Sequence, residues 1–83
     1  MNINIQEKDR YIALFLKDRL DAFGAGELQK AIDARLHDKI QCCILDMTDV
    51  SYISSAGIRV LLTIGKKLKT RNGVLALAGL QPY

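Results

Sequence analysis

Eighty-three residues, 49% of them hydrophobic, with no Trp and few aromatics, give one domain with an aliphatic core. A multidomain chain is excluded by length. A helical membrane span is excluded because no apolar run approaches the ~20 residues that cross a bilayer. The formal net charge of +3 is concentrated in Arg59, Lys66, Lys67, Lys69 and Arg71, and no aromatic is interleaved as a base-stacking surface requires. The cluster therefore reads as the solvated face and C-terminus of a helix, where cations suit the dipole, and not as a nucleic-acid patch.

The chain opens with Asn2–Gln6, where Ile3 and Ile5 alternate with polar residues as in a half-buried strand. Met1–Ile5 has no basic region followed by an apolar one, so no secretory leader is expected and the expected compartment is the cytoplasm. Glu7–Arg10 is a charged turn, and Tyr11–Leu16 is a second strand, apolar enough to be central or covered on both faces. The two strands suit a hairpin. A polar loop over 17–21 ends at Asp21, a good helix N-cap. The stripe Phe23, Ala25, Leu28, Ala31, Ile32 and Leu36 predicts a first helix, with Gly24 and Gly26 delaying its proper start to near Glu27. His37–Lys39 ends it, and His37, without an acid, Cys or second His at catalytic or metal spacing, reads as a surface residue.

Ile40–Met47 is apolar almost throughout and predicts a central parallel strand. It contains the adjacent Cys42 and Cys43, which point to opposite faces and so cannot pair; both read as small buried hydrophobes. Thr48–Ser54 reads as a loop. A second helix runs from Ser55 to about Thr70, with Arg59, Thr63, Lys66, Lys67 and Thr70 forming one polar stripe beside a wide apolar arc. Asn72-Gly73 stops it, Val74–Ala78 is a fourth strand, and Gly79–Tyr83 is a turn. The expected fold is α/β: β-β-α-β-α-β over residues 1–83, a mostly parallel four-stranded sheet with helices packed on it.

No Ser/His/acid set has supporting spacing, and the glycines at 24 and 26 are not followed by a phosphate loop's Gly-Lys-Ser or Gly-Lys-Thr. The chain is therefore read as no enzyme, with no cofactor and no metal. Asp21, Asp46 and Asp49 could converge at the C-terminal ends of the strands, although capping and loop hydrogen bonds explain them equally. A nucleotide site there would rest on fold analogy alone.

The pair Ser54-Ser55 carries more. One serine at a helix start is a cap; with two, Ser54 can cap while Ser55 faces outward. Ala56 and Gly57 keep the first turn open to another protein, and glycine inside a helix, at a cost of about 1 kcal/mol against Ala, suggests close approach. Phosphorylating Ser55 would add about −1.5 to −2 charges, which a helix N-terminus tolerates and a docked partner presenting acids would not.

Leu45-Asp46 followed by Val50-Ser51-Tyr52-Ile53-Ser54-Ser55-Ala56-Gly57-Ile58-Arg59-Val60-Leu61-Leu62 closely resembles the signature of STAS domains, and more narrowly of bacterial anti-sigma factor antagonists. The likeness extends to the opening strand pair, to Arg19-Leu20-Asp21-Ala22 and to Asn72-Gly73. It implies a phosphorylation-switched binding module in sigma-factor control. The unphosphorylated form would bind a serine kinase of the ATPase-kinase type that doubles as an anti-sigma factor. Phosphorylation would release the complex, and a PP2C-type phosphatase would reset it. By position the acceptor is Ser55, ahead of Ser54, and the partner surface comprises Asp21, Asp46, Ser54, Ser55, Ala56, Gly57 and Arg59.

Two departures stand out. The family's common Asp-Ser-Ser-Gly is Ser54-Ser55-Ala56-Gly57 here. Family members also continue past Tyr83 into another helix, so the domain is expected to be C-terminally truncated, with an uncovered apolar patch that favours a homodimer. The alternative implied by the resemblance is a STAS interaction subunit of a transporter or lipid-trafficking complex, with Arg59, Lys66 and Lys67 facing a partner or anionic lipid. Neither nucleic acid nor, in the leading reading, a membrane is an expected partner.

Overall fold

A computed structural model describes residues 1–82. It contains β1 (Asn2–Lys8), β2 (Tyr11–Leu20), α1 (Ala22–Arg35), β3 (Cys42–Ile53), α2 (Ser55–Lys69) and β4 (Val74–Ala78). The sheet order is β1-β2-β3-β4, with β1 antiparallel to β2 and the other neighbours parallel. This is the β-β-α-β-α-β arrangement expected from the pattern of apolar runs. The final turn is described through Pro82; Tyr83 lies outside the described residues.

Both helices cover the same face of the sheet. Ile12, Leu14 and Leu16 of β2 and Cys43, Leu45, Met47 and Val50 of β3 turn toward it, meeting Leu28 and Ile32 of α1 and Leu61, Ile64 and Leu68 of α2 in one buried cluster. The opposite face is open: Tyr11 and Phe15, on the alternate side of β2, are exposed. So β2 is central, as its composition suggests, but is covered on one face only. Cys43 is buried and Cys42, on the open face, is only partly so; the expectation of two buried thiols holds for one of them.

The expected loops over 17–21 and 48–54 are largely strand. Beyond a bulge, β2 and β3 continue to pair as Lys17↔Asp49, Asp18↔Val50, Arg19↔Tyr52 and Leu20↔Ile53. The register shifts twice on the way, and Asp18 takes a positive φ of 80°. Bulges break the period of two by which a strand is recognised, and the segment is polar wherever it faces water. Its anchors are Leu20 and Val50, both buried in the core.

α1 begins at Ala22, not near Glu27. The Asp21 carboxylate accepts from the Gly24 N–H at 2.8 Å and fixes the first turn. Gly24 is required there, since a Cβ would fall 2.8 Å from the Arg19 carbonyl oxygen. The buried residues of α1 are Gly24, Ala25, Leu28 and Ile32. Phe23 is not among them: it sits about 140° around the helix from Leu28 and is 75% exposed.

The basic run is partly engaged inside the fold. Lys67 pairs with Asp33 of α1 at 3.4 Å, and Arg71 Nη1 donates to the His37 carbonyl at 2.7 Å. His37 is a surface residue, with Nε2 3.0 Å from Glu7 Oε2.

Candidate functional site

The C-terminal ends of β2 and β3 deliver the chain to the starts of both helices at adjacent points. Leu20 and Ile53 are the last paired residues. Asp21 then caps α1 and Ser54 caps α2. The Ser54 N–H donates to the Leu20 carbonyl at 2.9 Å, which ties the start of α2 to the end of β2. The Ser54 hydroxyl oxygen accepts from the Gly57 N–H at 3.1 Å. Ser54 is thereby held by the fold. Ser55, the first helical residue, is exposed, and among the described residues its hydroxyl has no hydrogen-bond partner.

Gly57 approaches closely, but within its own chain. A Cβ there would lie 2.8 Å from Leu20 Cγ and 3.0 Å from the Leu20 carbonyl oxygen. Glycine lets the first turn of α2 seat on the end of β2, and the residue is buried. Its close-approach role is therefore internal, and Ser55 and, one turn on, Arg59 are exposed polar members of the motif on α2.

Ala56 and Arg59 line a cleft of about 290 Å³ between the helices, together with Ala22, Gly26 and Val60. Small residues on both helices leave it open. Exposed Phe23 lies beside its α1 wall, lining a neighbouring depression with Ala22 and Gly26. No acid occupies the first turn of α2, so added negative charge at Ser55 would meet free N–H groups and the positive end of the dipole.

The structure brings Asp21, Ser54, Ser55, Ala56, Gly57 and Arg59 together and leaves Asp46 apart. Asp46 pairs with Phe15 and Ala78 mid-strand, on the open face of the sheet, and Ile53 lies seven positions further along β3. At the rise of a strand that is on the order of 20 Å. Its carboxyl is held below the usual range by the Thr48 hydroxyl and the Thr48 N–H, the latter at 3.0 Å from Oδ1. Asp46 thus fixes the bulge in β3. Asp49 lies elsewhere again, lining a depression on the open face with Asn2, Asn4, Phe15 and Lys17. The three acids do not converge.

Two features of this end escaped the sequence reading. Phe23 is out of phase with the rest of its stripe, and that phase was the available signal. The Arg19 guanidinium stacks 4.2 Å over the Tyr52 ring, a pairing hidden by the register shift between β2 and β3. Among the described residues no group of three or more His, Cys, Asp or Glu could hold a metal ion, and no helix is long and apolar enough to cross a membrane.

Known proteins resemble this chain over nearly its full span. The anti-sigma-B factor antagonist of Listeria monocytogenes is 32% identical over 83 residues, covering 96% of this chain and 73% of the relative. The anti-sigma factor antagonist SpoIIAA in its unphosphorylated form superposes with a TM-score of 0.85 at 17% identity, over 98% of this chain and 76% of that one. The phosphorylated form of the Bacillus cell fate determinant SpoIIAA gives 0.84 at 16% identity, over 98% and 75%. The STAS domain family model matches residues 2–83, and the chain belongs to the STAS domain family.

Proposed function

We propose that this chain is an anti-sigma factor antagonist that works as a phosphorylation-switched binding module. Its unphosphorylated form binds a serine kinase that doubles as an anti-sigma factor. Phosphate on Ser55 ends the binding, and a phosphatase of the PP2C type restores it. The observation that carries this reading is the division of labour at the start of α2: Ser54 is held as the cap while Ser55 projects from the first turn. The names of its relatives give the direction of the reading.

The switch follows from local electrostatics. The γ-phosphoryl group of ATP passes to the Ser55 hydroxyl oxygen, whose proton leaves to a kinase base, and ADP departs. The phosphoserine bears about −1.5 to −2 charges. The α2 N-terminus accommodates them at little cost to the fold. A partner seated over Ser55, Ala56, Arg59, Asp21 and Phe23 would bury that charge, and burial of an unpaired charge is expensive. Binding is therefore lost while folding is kept. The chain also associates with itself as a homodimer, a reading supported by exposed aliphatic side chains on α2 and β4.

Affinity for the cognate serine kinase, measured by calorimetry, tests the switch. Wild type and Ser55→Ala should bind alike, and Ser55→Asp should bind at least tenfold more weakly. Equal affinity of all three would remove Ser55 from the interface.

A further inference from the structure

The cleft between the helices is built in phase on both sides. α1 lines one wall at positions 22, 25, 26 and 29, and α2 lines the other at 56, 59, 60 and 63. Each set has the i, i+3, i+4, i+7 spacing of a single helix face. Two turns of helical rise make the cleft about 10 Å long. Its upper end adjoins Ser55, because Ala56 is both a wall residue and the next residue in the chain. The walls at that end are Ala22, Gly26 and Ala56, which fill little of it. A Cβ at Gly26 would meet nothing within 4 Å.

Phe23 flanks the same end on α1. The depression that it lines shares Ala22 and Gly26 with the cleft. Its ring takes no part in the core cluster and is 75% exposed, which leaves on the order of 150 Å² of it in water. Isolated exposed apolar residues are ordinary. Phe23 differs in its place: it stands beside a cleft that opens next to the residue on which the switch reading depends. On the α2 wall Arg59 makes no ion pair among the described residues, and no acid lines the cleft. Aromatic rings and arginines at the centre of a contact carry a large share of binding energy.

We propose that Phe23 and this cleft are the anchor by which the kinase is held, an inference that rests on the switch reading above. One segment of the kinase lays an apolar side chain against Phe23 and between Gly26 and Ala56, and a carboxylate beside it pairs with Arg59. A basic segment would meet Arg59 as a like charge. The kinase is the occupant because the cleft is continuous with the hydroxyl that the kinase must reach. A segment seated there passes over Ser55, so the cleft sets which protein binds and the charge on Ser55 sets when it leaves.

Calorimetry with the cognate serine kinase, and steady-state phosphorylation by it, test this. Phe23→Ala removes the ring, and Gly26→Gln fills the cleft without adding apolar surface. Each should bind about tenfold more weakly or worse, and each should raise KM for phosphorylation with kcat within about twofold of wild type. Both should melt at or above the wild-type temperature, since Phe23 lies outside the core and Gln is the better helix former at position 26. Arg59→Gln should weaken binding and flatten its dependence on salt. Phe15→Ala, which removes an exposed ring on the open sheet face, should keep wild-type affinity. Wild-type affinity in Phe23→Ala or Gly26→Gln overturns the cleft as the anchor, and Ser55→Asp measured alongside still reports on the switch by itself. A lower kcat at unchanged KM would place Phe23 in the transfer step and overturn its role as anchor. If Phe23→Ala abolishes self-association by light scattering while kinase affinity is unchanged, the cleft belongs to a second copy and the proposal falls.

Discussion

Ser54 and Ser55 are chemically identical neighbours separated by a helix boundary. The Ser54 oxygen satisfies an N–H of the first turn, and Ser55 satisfies none. Ser54→Ala should therefore lower stability by about 1 kcal/mol, as loss of an N-cap does, while Ser55→Ala should stay within about 0.5 kcal/mol of wild type, as surface changes do. Denaturant midpoints measure both. The two thiols differ in the same way. Burial, and secondarily the charge of Cys42, pushes the Cys43 thiol from 9.0 up to about 12. In native protein at pH 8 a thiol reagent should modify Cys42 first and reach Cys43 only on unfolding. The sign for stability follows: folded Cys43 keeps its proton where unfolded Cys43 loses it, so this group's contribution is full below pH 9 and falls between 9 and about 12. A urea midpoint that rises over that range in Cys42→Ser protein would contradict it. The Ser54 cap and the exposure of Ser55 were legible in the sequence, because helix caps have a short-range signature. The internal role of Gly57 was not, since its neighbour Leu20 is distant in the chain and adjacent only once β2 and β3 have paired.

Apolar periodicity identified every helix and strand but not where each one ends. β2 and β3 both extend past their apolar runs, because parallel pairing and the anchors Leu20 and Val50 outweigh the polar residues between them. α1 begins before its glycines, because the Asp21 cap and the close seat of Gly24 on β2 offset their poor helix propensity. These packing differences predict opposite outcomes for two similar substitutions. Gly57→Ala overlaps Leu20 and should cost about 1–3 kcal/mol. A Cβ at Gly26 meets nothing within 4 Å, so Gly26→Ala should gain up to about 1 kcal/mol from helix propensity. Thermal melts of the pair decide it, and two changes of the same sign would count against the packing described.

At the scale of the molecule, one layer of helices on one face of a four-stranded sheet leaves three surfaces with different characters. The end where β2 and β3 deliver both helices carries Ser55, Arg59, Ala56 and Phe23. The side where β4 adjoins α2 carries aliphatic side chains, among them Leu62, Val74 and Leu75. The open sheet face carries Asp46, Asp49 and Phe15. The family resemblance put Asp46 on one surface with Ser55, across an expected loop at Thr48–Ser54 that is strand through Ile53. A straight strand moves a residue by about 3.3 Å per position, so an unrecognised extension displaces a candidate site residue by many ångströms. Asp46 lies apart from the start of α2 for that reason, whereas Ser54 and Ser55 adjoin it in sequence.

Phosphate mapping tests the central claim most directly. The protein is incubated with its cognate serine kinase and ATP, digested, and sequenced by mass spectrometry. One phosphate on Ser55 in wild type, full uptake by Ser54→Ala on that same residue, and none by Ser55→Ala are the predicted results. Phosphate on Ser54, or undiminished uptake by Ser55→Ala, would contradict the account.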